Sequence, residues 1–103
     1  MHNEVVIEGQ LTRDPVQRQL KAGERIWLLS VAAPQVSGSG VDWLDCSVRS
    51  GRLLRAVAFW QCGDVVRLEG HVRRRFFHVA GVRRSTLEIT AASGRRTRRA
   101  PAA

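Results

Sequence analysis

The run GDVVRLEGHVRRR, Gly63 to Arg75, limits the folds open to this chain more than any other segment. After a Gly-Asp turn, Val66, Leu68 and Val72 share one side while Arg67, Glu69, His71, Arg73 and Arg75 share the other. This two-residue period marks a half-buried strand. A strand this long, interrupted by Gly70, fits a small domain only if it curls. Phe76 and Phe77 follow the three arginines Arg73, Arg74 and Arg75 at once. Parity places Phe77 on the arginine side and Phe76 on the core side. Ala80-Gly81 then reads as a hairpin turn, with Leu87 and Ile89 on the returning strand.

The remaining elements are shorter. Asn3 to Gly9 alternates, with Val5 and Ile7 against Glu4 and Glu8, although Val6 falls on the polar side. Thr12-Arg13-Asp14-Pro15 is a turn, because proline removes a donor and restricts Asp14. Lys21 to Glu24 is a second turn, and Arg25 to Ala33 is a strand apolar on both faces, ended by Pro34. Trp27 shares parity with Leu29 and Val31 and is expected to be buried. A flexible loop, Val36 to Gly40, precedes the strand Val41 to Val48. There Leu44, Cys46 and Val48 oppose Trp43, Asp45, Ser47 and Arg49. Leu53, Val57 and Trp60 fall at helical spacing in a short helix over Arg52 to Gln61, with Trp60 in the core and Gly63 as its C-terminal cap.

Three strands, a helix and two strands, one of them long enough to curl, describe an all-β chain. The expected fold is a five-stranded Greek-key barrel of the OB type, with one short helix between strands 3 and 4. Residues 1–92 form this domain. Residues 93–103, polar and basic without periodicity, are expected to be a disordered tail that adds nothing to fold stability.

Charge points to the partner class. Residues 1–50 carry five basic and six acidic groups, whereas residues 51–103 carry twelve basic and three acidic groups. Charge gathered in one half, within a net of +8, suits a polyanion. Arginine beside aromatic rings suits single-stranded nucleic acid, the guanidinium taking phosphate and the ring an unstacked base. Catalysis finds no support. His2, His71 and His78 do not gather round a nucleophile, the sequence has no Gly-rich phosphate loop, and Asp42 and Asp45 point to opposite faces. No cofactor, no metal and no membrane partner is expected. Cys46 and Cys62 read as buried thiols of a cytosolic protein, with a disulfide as the alternative.

Several linked segments carry a family resemblance. They are NEVVIEGQLTRDP, with Leu11, Thr12, Asp14 and Pro15 in its turn, LKAGERIWLLSVAA, VDWLDCSV and GDVVRLEGHVRRRF. Together they resemble the bacterial single-stranded DNA-binding protein family from about Asn3 to Ala91. The resemblance implies an OB fold that grips single strands by stacking and phosphate contacts, in DNA replication, recombination or repair. Trp43 and Phe77 fall on family stacking positions, and Arg73 and Arg75 on basic positions of the same face. Arg49 stands where the family has a second aromatic. With Arg84 of the hairpin it completes the expected set of nucleic-acid-binding residues. The resemblance further implies a homo-oligomer, tetramer or dimer, that is cytoplasmic and nucleoid-associated. The family's acidic tail is replaced by a basic one, which fits a divergent short paralogue. Two other readings stay open: RNA in place of DNA, and an OB-fold protein–protein interaction module.

Overall fold

The computed structural model describes residues 1–49 and 51–102. Its elements are β1 (Val5–Leu11), β2 (Val16–Gln19), β3 (Arg25–Pro34), β4 (Val41–Val48), α1 (Arg52–Val57), β5 (Val65–Val79) and β6 (Val82–Arg98). The sheet order is β1-β5-β6-β4-β3-β2, and β1 also pairs with β3. That extra pairing closes β1, β5, β6, β4 and β3 into the five-stranded barrel. The expected strands are β1 and β3–β6. The added β2 is a fully exposed four-residue strand on the edge of β3.

β1 and β2 share that edge. Gln10 and Leu11 oppose Ala32 and Val31, and Val16 to Gln19 oppose Leu28 to Arg25. Thr12 to Pro15 breaks the edge because proline offers no donor to the ladder. All pairings are antiparallel except β4 with β6, which meet in parallel at only two positions, Cys46↔Ile89 and Ser47↔Thr90. Alternating residues fill the barrel: Leu11, Leu29, Val31, Cys46, Val48, Val66, Leu68 and Ile89. Leu53, Val57 and Trp60 from the helix region pack onto the same core. Trp27 is half-buried against that core, a smaller burial than its parity suggests. Each fully buried Leu or Val contributes ~1.5–3 kcal/mol, so the fold rests on this inward set.

β5 curls where its sequence permits. The register slips between Glu69 and Gly70: Glu69 opposes Ser93, Gly70 opposes Ala91, and Ala92 has no partner. A Cβ at Gly70 would run into the Thr90 carbonyl, so only glycine lets β6 cross this closely.

Five expectations are corrected. The helix stops at Val57, because the Phe59 and Trp60 amides turn back to the Ala56 and Val57 carbonyls, each at 3.0 Å, and tighten the last turn. Gly63 is therefore not its cap. It has φ 92° in the following turn, and its N–H donates to the Leu11 carbonyl at 2.8 Å. Cys62 lies in that turn and is exposed, with its amide bound to Asp14 Oδ1 at 2.8 Å. Phe76 keeps core parity but is 53% exposed, because β5 and β6 outrun the barrel as a two-stranded arm with solvent on both faces.

The fifth correction concerns the tail. Ser93 to Arg98 is the end of β6, paired along β5 from Glu69 back to Val65. Gly94 lies opposite Leu68, where a Cβ would stand 2.8 Å from Leu68 Cδ2, so the strands approach closely without any apolar side chain to announce the pairing. It also answers a buried charge. The Asp64 carboxylate, 0% exposed, accepts from the Gln61 amide at 2.9 Å, the Ala100 amide at 2.7 Å and Arg96 Nη1 at 3.3 Å. Burial alone would raise its pKa. The two backbone donors and the Arg96 guanidinium outweigh burial and hold it below the ordinary 3.8.

Truncation after Ser93 is therefore expected to lower the melting temperature markedly. Asp64→Ala should cost roughly 3 kcal/mol, because it strands two amides and a partly buried guanidinium. With a depressed folded-state pKa, the carboxylate's contribution is complete above pH 3.8 and is lost as pH falls through its lower folded value. Thermal melts of wild type and Asp64→Asn should accordingly converge in strong acid and diverge toward neutrality.

Candidate nucleic-acid interface

Register alone assembles the outer face of the barrel. On β3 and β4, Ala32 opposes Trp43, Ser30 opposes Asp45 and Leu28 opposes Ser47. The parallel junction sets Thr90 beside Ser47, and β5 adds His71 opposite Thr90, Arg73 opposite Glu88, Arg75 opposite Thr86 and Phe77 opposite Arg84. Trp43, Arg73, Arg75, Phe77 and Arg84 thus share one continuous face. Arg49, just past the end of β4, lies about 20 Å along the strand from Trp43. It is half-buried, and its Nε has no hydrogen-bond partner among the described residues.

Trp43 is 71% exposed, because its cross-strand neighbour is the small Ala32. Its ring lies at the rim of two clefts. One of about 340 Å3 is lined by Thr12, Arg13 and Ser30. The other, about 500 Å3, opens where β4 and β6 diverge and is lined by Leu44, Val72, Leu87 and Ile89. An exposed indole flanked by open space is a stacking platform.

The basic side is tied to the barrel through one carboxylate. Glu88, 6% exposed, accepts from Ser47 Oγ at 2.9 Å through Oε1, and its Oε2 lies 3.5 Å from Arg75 Nε. Arg75 in turn sits over the half-buried Phe77, its guanidinium 5.7 Å from the ring centroid. A chain of contacts thus runs Ser47–Glu88–Arg75–Phe77 and fixes the base of the arm against β4. Arg73 and Arg84 are exposed and extend toward solvent.

Sequence reasoning did not single out three members of this region. Arg13 lines the cleft beside Trp43, and its signal was only a turn position. Asp45 and Glu88 bring carboxylates to a basic face; polar-side parity located Asp45 without a role, and Glu88 between Leu87 and Ile89 was not assigned a face.

With this geometry in place, comparison with known proteins is decisive for lineage. The model of the single-strand binding protein family matches residues 2–96. The chain belongs to the single-strand binding protein family. Among solved structures it is similar to a Plasmodium falciparum SSB in complex with ssDNA, with a TM-score of 0.77 and 18% sequence identity. The alignment covers 92% of each chain, and at that identity it speaks for a shared fold. A search of curated proteins finds no match. Among the described residues, no three His, Cys, Asp or Glu side chains gather as a metal site, and no helix is long and apolar enough to cross a membrane.

Below this face of the family fold lies Cys46, whose thiol burial pushes up to about 12, with further push from the Asp45 and Glu88 charges. A thiol of that kind is inert, since the thiolate is the reactive form. Native protein treated with a thiol reagent near pH 8 should therefore label at Cys62 and not at Cys46, and mass spectrometry of the digested adduct should read this out.

Proposed function

We propose that this family member binds single-stranded DNA on the outer face of its barrel. Trp43 and Phe77 stack bases there, and Arg73, Arg75 and Arg84 take phosphates. The observation that carries this reading is the exposed Trp43 ring on the same face as the arginine-rich base of the arm. It acts by binding, without catalysis, and serves replication, recombination or repair as a nucleoid-associated homo-oligomer. Arg49, half-buried and set apart, contributes at the far end of the strand's path. Arg75 has a double part, because Glu88 neutralises some of its charge while holding it over Phe77.

Titration of intrinsic tryptophan fluorescence with oligo-dT tests this. Stacking on Trp43 should quench emission, and Trp43→Ala should abolish most of that quenching, because Trp60 is buried and Trp27 is half-buried on the core side. Trp43→Ala and Phe77→Ala should each weaken binding by ~1–3 kcal/mol whatever the base composition, with little change in melting temperature. Affinity should fall with salt at a slope of roughly −0.7 per phosphate neutralised. A flat salt response with no quenching would instead favour a protein interface at Trp43. Parallel titrations with oligo-dT and oligo-rU separate the DNA from the RNA reading.

A further inference from the structure

Two strands of the barrel diverge with their hydrogen-bonding edges still open. β4 and β6 pair only at Cys46↔Ile89 and Ser47↔Thr90. Continuing that register outward sets Val41 to Asp45 of β4 beside Arg84 to Glu88 of β6, and neither stretch pairs across the gap. Each is already held on its far side, β4 by β3 and β6 by β5. The result is a V-shaped slot whose two walls both present unpaired amides and carbonyls, the groups that guide an added strand. The other open edges offer less. β2 is open on one side only and exposed throughout. The gap between β1 and β3 ends at Pro34, which has no N–H to give.

The floor of the slot is the cleft of about 500 Å3. Register and parity put Leu44 and Leu87 side by side across it, and Val72 and Ile89 line it as well. Leu87 keeps core parity yet is 56% exposed, so this end of the core has no cover of its own. Such a lining suits small apolar side chains projecting from one face of a strand. Charge gives the slot a direction. At its closed end Glu88 is committed to Ser47 and Arg75, whereas Asp45 is exposed and has no ion pair among the described residues. At its open end Arg84 is exposed and likewise has no carboxylate among the described residues. The step along the slot from Asp45 to the level of Arg84 spans about 13 Å, the reach of four strand residues. A strand lying antiparallel to both walls, the stronger pairing mode, starts at the closed end and leaves at the open one. Its N-terminal part therefore meets Asp45 and its C-terminal part meets Arg84.

We propose that the slot between β4 and β6 is a docking site for an extended segment of a partner protein, added as a strand between the two walls. The segment carries a basic side chain at Asp45, small apolar side chains over Leu44 and Leu87, and a carboxylate at Arg84. Pairing of its backbone to both walls supplies affinity, and the two charges fix its direction. A nucleic acid strand is the poorer occupant, because it has no peptide ladder to offer the open edges and its phosphates are repelled by Asp45. The site stands apart from the single-strand reading above.

The probe is a fluorescent pentapeptide with capped ends, made of lysine, valine, threonine, valine and glutamate in that order. It is titrated into the full chain with anisotropy as the readout. Wild type should bind it saturably, and ~10-fold more tightly than the same peptide with lysine and glutamate exchanged. Asp45→Lys should erase that preference, and Leu87→Ser should weaken both peptides. Both positions are exposed, and matching melting curves establish that the variants fold. N-methylation of alternate backbone amides in the probe should abolish binding, a loss that apolar contact alone does not produce. Hydrogen exchange should show new protection within residues 41–45 and 84–88 when the peptide is bound. Absence of binding, equal affinity for the two peptides, indifference to N-methylation, or protection at β1 or β2 in place of the slot would overturn the proposal. Slot protection that rises with protein concentration in the absence of peptide would overturn it too, by making a second copy the occupant.

Discussion

Asp64 is the point on which the rest of the fold turns. It sits at the start of the longest hairpin, fully buried, with a carboxylate that reaches the helix-to-strand turn, the end of β6 and Arg96. Its backbone binds Leu11, whose carbonyl also receives Gly63, so the first strand is locked to the same turn. Asp14, one turn further along, holds the amide of Cys62. Four separated parts of the chain thus converge on residues 61–64. A buried carboxylate in this setting is tolerable because the Gln61 and Ala100 amides and the Arg96 guanidinium all donate to it. The interaction specifies which strands meet at the closed end of the barrel, and thereby where the arm can emerge at the other.

From that closure the interface follows by register. Once β5 and β6 are aligned, Glu88 falls beside Ser47 and within reach of Arg75, and the sheet has no freedom to place Arg75 elsewhere. The bond between Glu88 and Ser47 spans two strands that share only two paired positions. A single carboxylate therefore joins the hairpin to the strand that carries Trp43, and it holds the stacking ring and the arginines in a fixed relation before any ligand arrives. Such preorganisation lowers the entropy lost on binding.

Much of this was legible in the residues. Alternation located β1, β4 and β5, and polar-side parity put Trp43, Arg73, Arg75 and Phe77 on one face, as register shows. Parity failed to give burial at Phe76, because it reports which side a side chain takes and not how far the barrel extends beneath it. The end of β6 escaped notice for a related reason. Gly94 faces Leu68 without a side chain and its neighbours are arginines, so a strand held by backbone pairing and one buried ion pair reads as a polar tail. Asp64 resembled an ordinary turn residue, since its donors come from Gln61, Arg96 and Ala100, two of them more than thirty positions away. Long-range satisfaction of this kind leaves no local pattern.

The parallel junction of β4 and β6 has a consequence for motion. The β1–β5, β3–β4 and β5–β6 walls of the barrel are longer antiparallel ladders, and only the β1–β3 wall is as short, with two antiparallel pairs. The barrel therefore has two thin seams, and the one between β4 and β6, two residue pairs and a side-chain hydrogen bond wide, lies directly under the face that carries Trp43. Opening there breaks little backbone pairing, so the closed sheet can breathe along this line. Amide exchange at Cys46, Ser47, Ile89 and Thr90 is governed by that local opening, while the β5–β6 ladder exchanges only through larger excursions. The domain behaves less as a rigid cylinder than as a sheet rolled up and fastened by two short clasps.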